Sequence, residues 1–304
     1  MKRIFTILAA VMVLTGCGTR LVYPNLDWLI PWYLDNYMSL DSSQKSDLKK
    51  TISRQLNWHC GTQLDAYAEF LRELSREMGD PNDPITHATL ANRWETLRGF
   101  WKKLMAQISP DVADLLLSLS DVQIEKLFAR LEKRNRKLSA TYVDVDPQKI
   151  VGKRQKYMLK HMKRWISRLT PAQKQLVATW SSRLEPTGAD WMAHRLTIQD
   201  EYRQLFTRRD DKVYFREKIF DLLVYQERYR SEAYQQKIEF NTELTIALIL
   251  DSDRLLTAAQ RQHLQKKLKS LARDFEYLSC EPRRKTPHPP IEKIKLTDEL
   301  SRQI

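Results

Sequence analysis

Three cysteines, six histidines and a dense run of lysines are the residues of this sequence best suited to chemistry. The histidines, His59, His87, His161, His194, His263 and His288, lie far apart. None has the short spacing by which one helix or loop presents two ligands to a zinc ion. His59 adjoins Cys60, but neighbours on a helix point apart. The acidic pairs Asp144/Asp146 and Asp210/Asp211 stand where helices begin or end, a place where carboxylates serve as caps. There is no glycine-rich phosphate loop, no His-Glu-x-x-His and no Gly-x-Ser-x-Gly. The pattern therefore assigns no catalytic residue, no metal ligand and no cofactor, and it points to a protein that is not an enzyme.

The lysines offer a different chemistry. Lys149, Lys153, Lys156, Lys160, Lys163 and Arg164 recur at steps of three and four, which gathers them on one side of a helix. Met158, Met162 and Trp165 fall on another side. Lys153, Lys156, Lys160, Lys163 and Arg164 are the candidate binding surface, for anionic lipid or an acidic partner. The same pattern also describes an amphipathic helix with a merely solvated outer face. The formal net charge is +13. Inside a cell such an excess would suggest nucleic acid. Where it acts depends on the leader.

Lys2 and Arg3 precede an apolar run from Ile4 to Leu14. That run is too short to span a bilayer but has the length of a signal-peptide core. Leu14-Thr15-Gly16-Cys17 follows and resembles the lipobox of bacterial lipoproteins. The resemblance implies cleavage before Cys17 and acylation of that cysteine, whose chains anchor the protein. One chain binds reversibly and two or more hold stably. Gly18 stands where an Asp would favour the inner membrane. The resemblance thus implies an outer-membrane lipoprotein facing the periplasm, with residues 1–16 as the leader. Its polyanionic partners would be anionic lipid, lipopolysaccharide or acidic protein, and not nucleic acid.

With Cys17 so used, Cys60 and Cys280 remain as a candidate disulfide in an oxidising compartment. Two buried free thiols fit the sequence as well. Residues 17–39 form an aromatic segment with Tyr23, Trp28, Trp32, Tyr33 and Tyr37. Pro24 and Pro31 predict short helical turns there rather than one rod. Such rings suit a membrane interface, or they hold the amino terminus onto the domain. The acids Asp27 and Asp35 favour the second use.

The elements that must position these residues are helices. From Leu40 to Cys280 apolar residues recur at three- and four-residue steps, without period-two alternation and with seven glycines in the whole chain. The fold class is all-α, a multi-helix antiparallel bundle or array of helical hairpins joined by short connections. One helix is expected to run up to Gly79, and Pro110 to separate two helices. Asp146-Pro147 opens the basic helix, and residues 281–304 read as a basic, proline-rich flexible tail.

A motif recurs at four helix starts: Leu40-Asp41-x-x-Gln44, Leu119-Ser120-x-x-Gln123, Leu169-Thr170-x-x-Gln173 and Leu256-Thr257-x-x-Gln260. It spells a capping box with a leucine staple before it. Leu-Thr-x-x-Gln is also the signature of Spy- and CpxP-like periplasmic proteins, a local resemblance that implies a chaperone-like surface. A wider resemblance rests on Leu26-Asp27-Trp28, Trp32-Tyr33-Leu34-Asp35, Glu132 to Lys137, Tyr142-Val143-Asp144 and Leu169 to Gln173. On these the chain resembles an uncharacterised family of proteobacterial lipoproteins, which implies a helical fold and an envelope location without any established activity. The function expected is a non-catalytic scaffold or chaperone-like binding module. The alternatives are a lipid- or lipopolysaccharide-binding protein and an envelope enzyme whose site is assembled from distant residues.

Overall fold

A computed structural model of the chain describes residues 16–80 and 83–280. Residues 1–15 of the expected leader 1–16, and the expected tail 281–304, lie outside the described residues. The elements in order are α1 (Gly16–Val22), a 3-10 turn (Tyr23–Asn25), α2 (Leu26–Met38), α3 (Ser42–Thr62), α4 (Leu64–Glu77), α5 (His87–Leu117) and α6 (Asp121–Tyr142). They continue with α7 (Pro147–Ile166), α8 (Pro171–Arg183), α9 (Gly188–Phe206), α10 (Lys212–Val224), a second 3-10 turn (Gln226–Tyr229), α11 (Glu232–Arg254) and α12 (Ala258–Leu278). The described part is an all-α array of many helices, and no strand occurs among the described residues.

Two apolar cores share the work. The first lies between α4 and α12, with Leu64, Tyr67, Phe70 and Leu71 against Leu264, Leu268, Leu271 and Phe275. Ile166 at the end of α7 closes one side of it. The second lies among α3, α5, α6, α9 and α10, with Ile52, Ala113, Leu116, Phe128, Leu205, Phe206, Phe215, Ile219 and Leu222. Leu56 of α3 packs against both, so that helix spans the pair. Phe215, Ile219 and Leu222 are fully buried, and a large-to-small change there would cost about 2–5 kcal/mol.

Proline and glycine divide the chain differently from the sequence expectation. The helix expected to run up to Gly79 breaks at Gln63, behind the poor helix formers Gly61 and Thr62. Pro110, expected to separate two helices, stands inside the continuous α5. Its missing N–H would orphan the carbonyl of Ala106, and the Ser109 hydroxyl donates to that carbonyl instead at 3.0 Å. Pro31 likewise stands inside α2, which runs on as one helix where short turns were expected.

The four leucine–glutamine motifs have a tertiary role that a capping box alone does not require. Each Gln accepts from the backbone N–H of its cap residue, and each cap side chain accepts from the Gln backbone N–H. The glutamines then meet in two pairs. Gln44 and Gln123 exchange amide hydrogen bonds of 3.2 and 2.7 Å. Gln173 and Gln260 exchange two of 2.9 Å. Each amide also donates to a carbonyl two residues before the partner's cap: Gln44 to Ser118, Gln123 to Ser39, Gln173 to Leu255 and Gln260 to Arg168. Leu40 and Leu119 enter the second core beside one pair, and Leu169 and Leu256 join the first core beside the other. Each core is thus closed by one pair of locked helix starts. The two non-glycine residues with positive φ among the described residues, Ser39 (50°) and Ser167 (68°), sit at these joints. They turn the chain so that the Ser39 and Arg168 carbonyls face the incoming amides.

Candidate binding surfaces

The basic stripe sits on α7. That helix starts at the Asp146 cap, whose side chain accepts from the Gln148 N–H at 2.8 Å. Leu159, Met162, Trp165 and Ile166 press its inner side onto the first core. Arg154 ties it to the end of α8 by donating to the Leu184 and Glu185 carbonyls at 3.1 and 3.2 Å. The register this imposes leaves Lys149, Lys153, Lys156, Lys160 and Lys163 exposed, and Arg164 half-buried. None of these six forms an ion pair with an acidic side chain of the described residues. Elsewhere acids reach the cations near them: Arg93 with Glu73 at 2.5 Å, Lys218 with Glu201 at 2.7 Å and Lys237 with Asp190 at 2.9 Å.

Two residues complete the stripe that the lysine spacing does not announce. Tyr157 is 60% exposed among the lysines, with its ring 4.1 Å from that of His161. Burial, then the charges of Arg164 and Lys160, push the His161 pKa below its usual value. These effects favour the neutral ring beside the cations. A second basic line, Lys266, Lys269 and Arg273, runs along the exposed side of α12 and borders an open surface hollow with Gln262 and Gln265. Its three- and four-residue spacing is visible in the sequence.

Among the described residues the histidines do not assemble, and His288 lies outside them. His59 shares a hydrogen bond with the Tyr23 hydroxyl at 2.9 Å, His87 meets Glu243 at 2.8 Å and His194 Nδ1 donates to the Tyr229 carbonyl at 3.2 Å. Burial lowers the His59 pKa to about 4 and raises that of the neighbouring Tyr67 to about 12. Among the described residues no group of three His, Cys, Asp or Glu side chains is arranged to hold a metal ion. A polar cluster joins α9, α10 and the second 3-10 turn. Lys218 donates to Tyr229 at 2.9 Å and pairs with Glu201, while the Tyr229 hydroxyl donates to Asp221 at 2.5 Å. Burial opposes the Lys218 ammonium, but its hydrogen bonds to Glu201 and Tyr229 outweigh that and raise its pKa. Each group is engaged by its neighbour, so the cluster fastens the turn to the two helices.

At the other end of the chain Cys60, buried in α3, is joined to exposed Cys280 by a disulfide with Cα atoms 5.1 Å apart. The crosslink ties the chain after α12 to the end of α3. Close by, α1 packs on α12: Thr19 is fully buried, and Arg20 meets buried Asp274 at 2.6 Å and lies over the Tyr277 ring at 4.3 Å. The aromatic segment divides its rings. Tyr23 is buried, whereas Trp28 and Trp32 are 46% and 43% exposed. Among the described residues no helix is long and apolar enough to cross a membrane.

Comparison with known families places residues 36–235 in a family of unknown function, DUF6279. The match spans more than half of the 304-residue chain. The chain belongs to DUF6279. No curated protein and no solved structure matches it. The DUF6279 stretch carries the Gln44, Gln123 and Gln173 motifs, all of α7 and the Lys218–Tyr229 cluster. It leaves out α1, α12 with Gln260, and Cys280. In this chain the first core and the Gln173 pair are therefore completed by a helix beyond the DUF6279 match.

Proposed function

We propose that the protein is a lipid-anchored, non-catalytic binding module of the cell envelope, held at Cys17 on the periplasmic side of the outer membrane. Its working surface is the outer stripe of α7. The observation that carries this reading is the row of five exposed lysines with no acidic partner among the described residues, on a helix whose other side is fixed in a core. An uncompensated cationic row raises the local concentration of anionic partners and speeds their encounter. Tyr157 adds an amphipathic ring of the kind enriched at protein interfaces. The leader ending just before Cys17 supports the location, and the Cys60–Cys280 crosslink is of a kind that persists in oxidising compartments. The partner we favour is an acidic protein surface in the envelope.

The test is in-cell photo-crosslinking from a reactive residue placed at Tyr157, with mass spectrometry of the adducts. One dominant acidic protein supports a scaffold. Many unrelated immature envelope proteins support a chaperone. Lipopolysaccharide or phospholipid alone would replace the protein partner by lipid, and no adduct above background would overturn the reading.

A further inference from the structure

We infer that Leu21, Pro24, Trp28 and Trp32 form a membrane-seating stripe that lies in the leaflet carrying the acyl chains of Cys17, which fixes the orientation of the whole domain. The inference rests on the lipid anchor proposed above. Its ground is the shortness of the tether. Thr19 is fully buried and Arg20 is paired with Asp274, so the packed fold comes within two residues of Cys17. Two residues reach at most about 7 Å. An acylated Cys17 therefore holds α1 against the bilayer surface instead of on a free leash, and the exposed side of α1 and α2 lies nearest the lipid.

That side has the composition of an interface. Leu21, Trp28 and Trp32 are 41%, 46% and 43% exposed, and Pro24 between them is also exposed. Leu21 belongs to α1, Pro24 to the 3-10 turn, and Trp28 and Trp32, four residues apart, to one face of α2; the charged residue within this stretch, Asp27, is half-buried. Of the nearby charges, Arg20 is directed to Asp274 and Asp35 to Lys45 at 3.2 Å. The Trp28 indole N–H donates to the Asn25 side chain at 3.0 Å, which fixes the ring while its apolar edge stays uncovered. Indoles prefer the headgroup level of a bilayer, where an apolar body and a polar edge are both satisfied. The inner residues of the same segment are spent on the fold: Tyr23 and Leu26 on the first core, Ile30 and Leu34 on the second. The stripe is thus rigidly presented.

The experiment uses the full, lipid-modified protein reconstituted in vesicles of phosphatidylethanolamine and phosphatidylglycerol, with phospholipid brominated near the headgroup as quencher. Trp28 and Trp32 are two of eight tryptophans. Bromolipid should remove up to about a quarter of the total emission, and the Trp28→Gln/Trp32→Gln variant should lose that quenching while still floating with the vesicles. Circular dichroism of the variant checks the fold. Flotation without quenching, or quenching unchanged in the variant, would overturn the stripe and leave the anchor standing. Failure of the native protein to float would remove the anchor and the stripe with it. Self-association of the Cys17→Ser chain that disappears on Trp28→Gln/Trp32→Gln would assign the stripe to a second copy instead.

Discussion

Replacing Gln173 by Ala should destabilise the protein far more than the same change at Gln123. Gln173 is fully buried and Gln260 nearly so. The Gln173 amide accepts from the Thr170 N–H at 3.0 Å, donates to the Leu255 carbonyl at 3.2 Å and exchanges two bonds with Gln260. Its loss deletes one half of a capping box, worth about 1 kcal/mol. It also strands the Leu255 carbonyl and the inner side of the Gln260 amide where water cannot replace the partner, at about 1–3 kcal/mol for each orphaned group. A total of about 3–7 kcal/mol follows. Gln44 and Gln123 form the same pair, but Gln123 is only half-buried. Water can take up the broken bonds there, and about 1–2 kcal/mol is expected. The assay is urea denaturation followed by circular dichroism, on chain secreted with Cys17→Ser and with its disulfide intact. A double-mutant cycle on Gln173 and Gln260 should show coupling of about 1–2 kcal/mol, because the second change removes a group already orphaned by the first. Equal costs at the two pairs, or additivity within about 0.5 kcal/mol in the cycle, would refute the view that these joints lock the cores.

Ser167 holds φ 68° and ψ −139°, a region that suits glycine, so Ser167→Gly should stabilise by about 1 kcal/mol in the same urea assay. His59 has its pKa lowered to about 4 by burial, so the unfolded chain, with its ring near 6.5, takes the proton first. Stability from this group is complete above pH 6.5, falls between 6.5 and 4 and is level below; the total is about 3 kcal/mol. His59→Gln should flatten that slope in urea midpoints measured from pH 7 to 4. Dithiothreitol should reach the Cys60–Cys280 bond from its exposed Cys280 end. Opening a loop of 220 residues should cost up to about 5 kcal/mol on chain-entropy scaling, read as a drop in the urea midpoint. Lys156→Glu with Lys160→Glu should change stability by less than about 0.5 kcal/mol, since both side chains are exposed and unpaired. The same change should cut adducts from position 157 about tenfold, and unchanged yield would detach the α7 stripe from binding.

Helix identity, the caps and the basic stripe were legible because each is written within four residues. The Asp41, Ser120, Thr170 and Thr257 caps and the exposed lysines of α7 follow from local spacing alone. Continuity across proline was not, since Pro110 is tolerated through a hydroxyl that replaces its missing donor, and Ser109 looks like any other serine until its rotamer is seen. The partition into two cores was also hidden. Nothing in the period of α4 says that it meets α12, nearly two hundred residues on. The glutamine motif shows the boundary most sharply. Its cap is local and readable, whereas its pairing joins positions 79 and 87 residues apart. Each partner offers the other the same amide, so no charge or size contrast marks which glutamine meets which. What distinguishes the pairs is the core each one closes. That same long-range packing buries Thr19, sets Trp28 and Trp32 outward and leaves the α7 lysines unmatched. The surfaces offered for binding are therefore consequences of how the cores close, and a substitution at Gln173 should disturb the α7 stripe as well as stability.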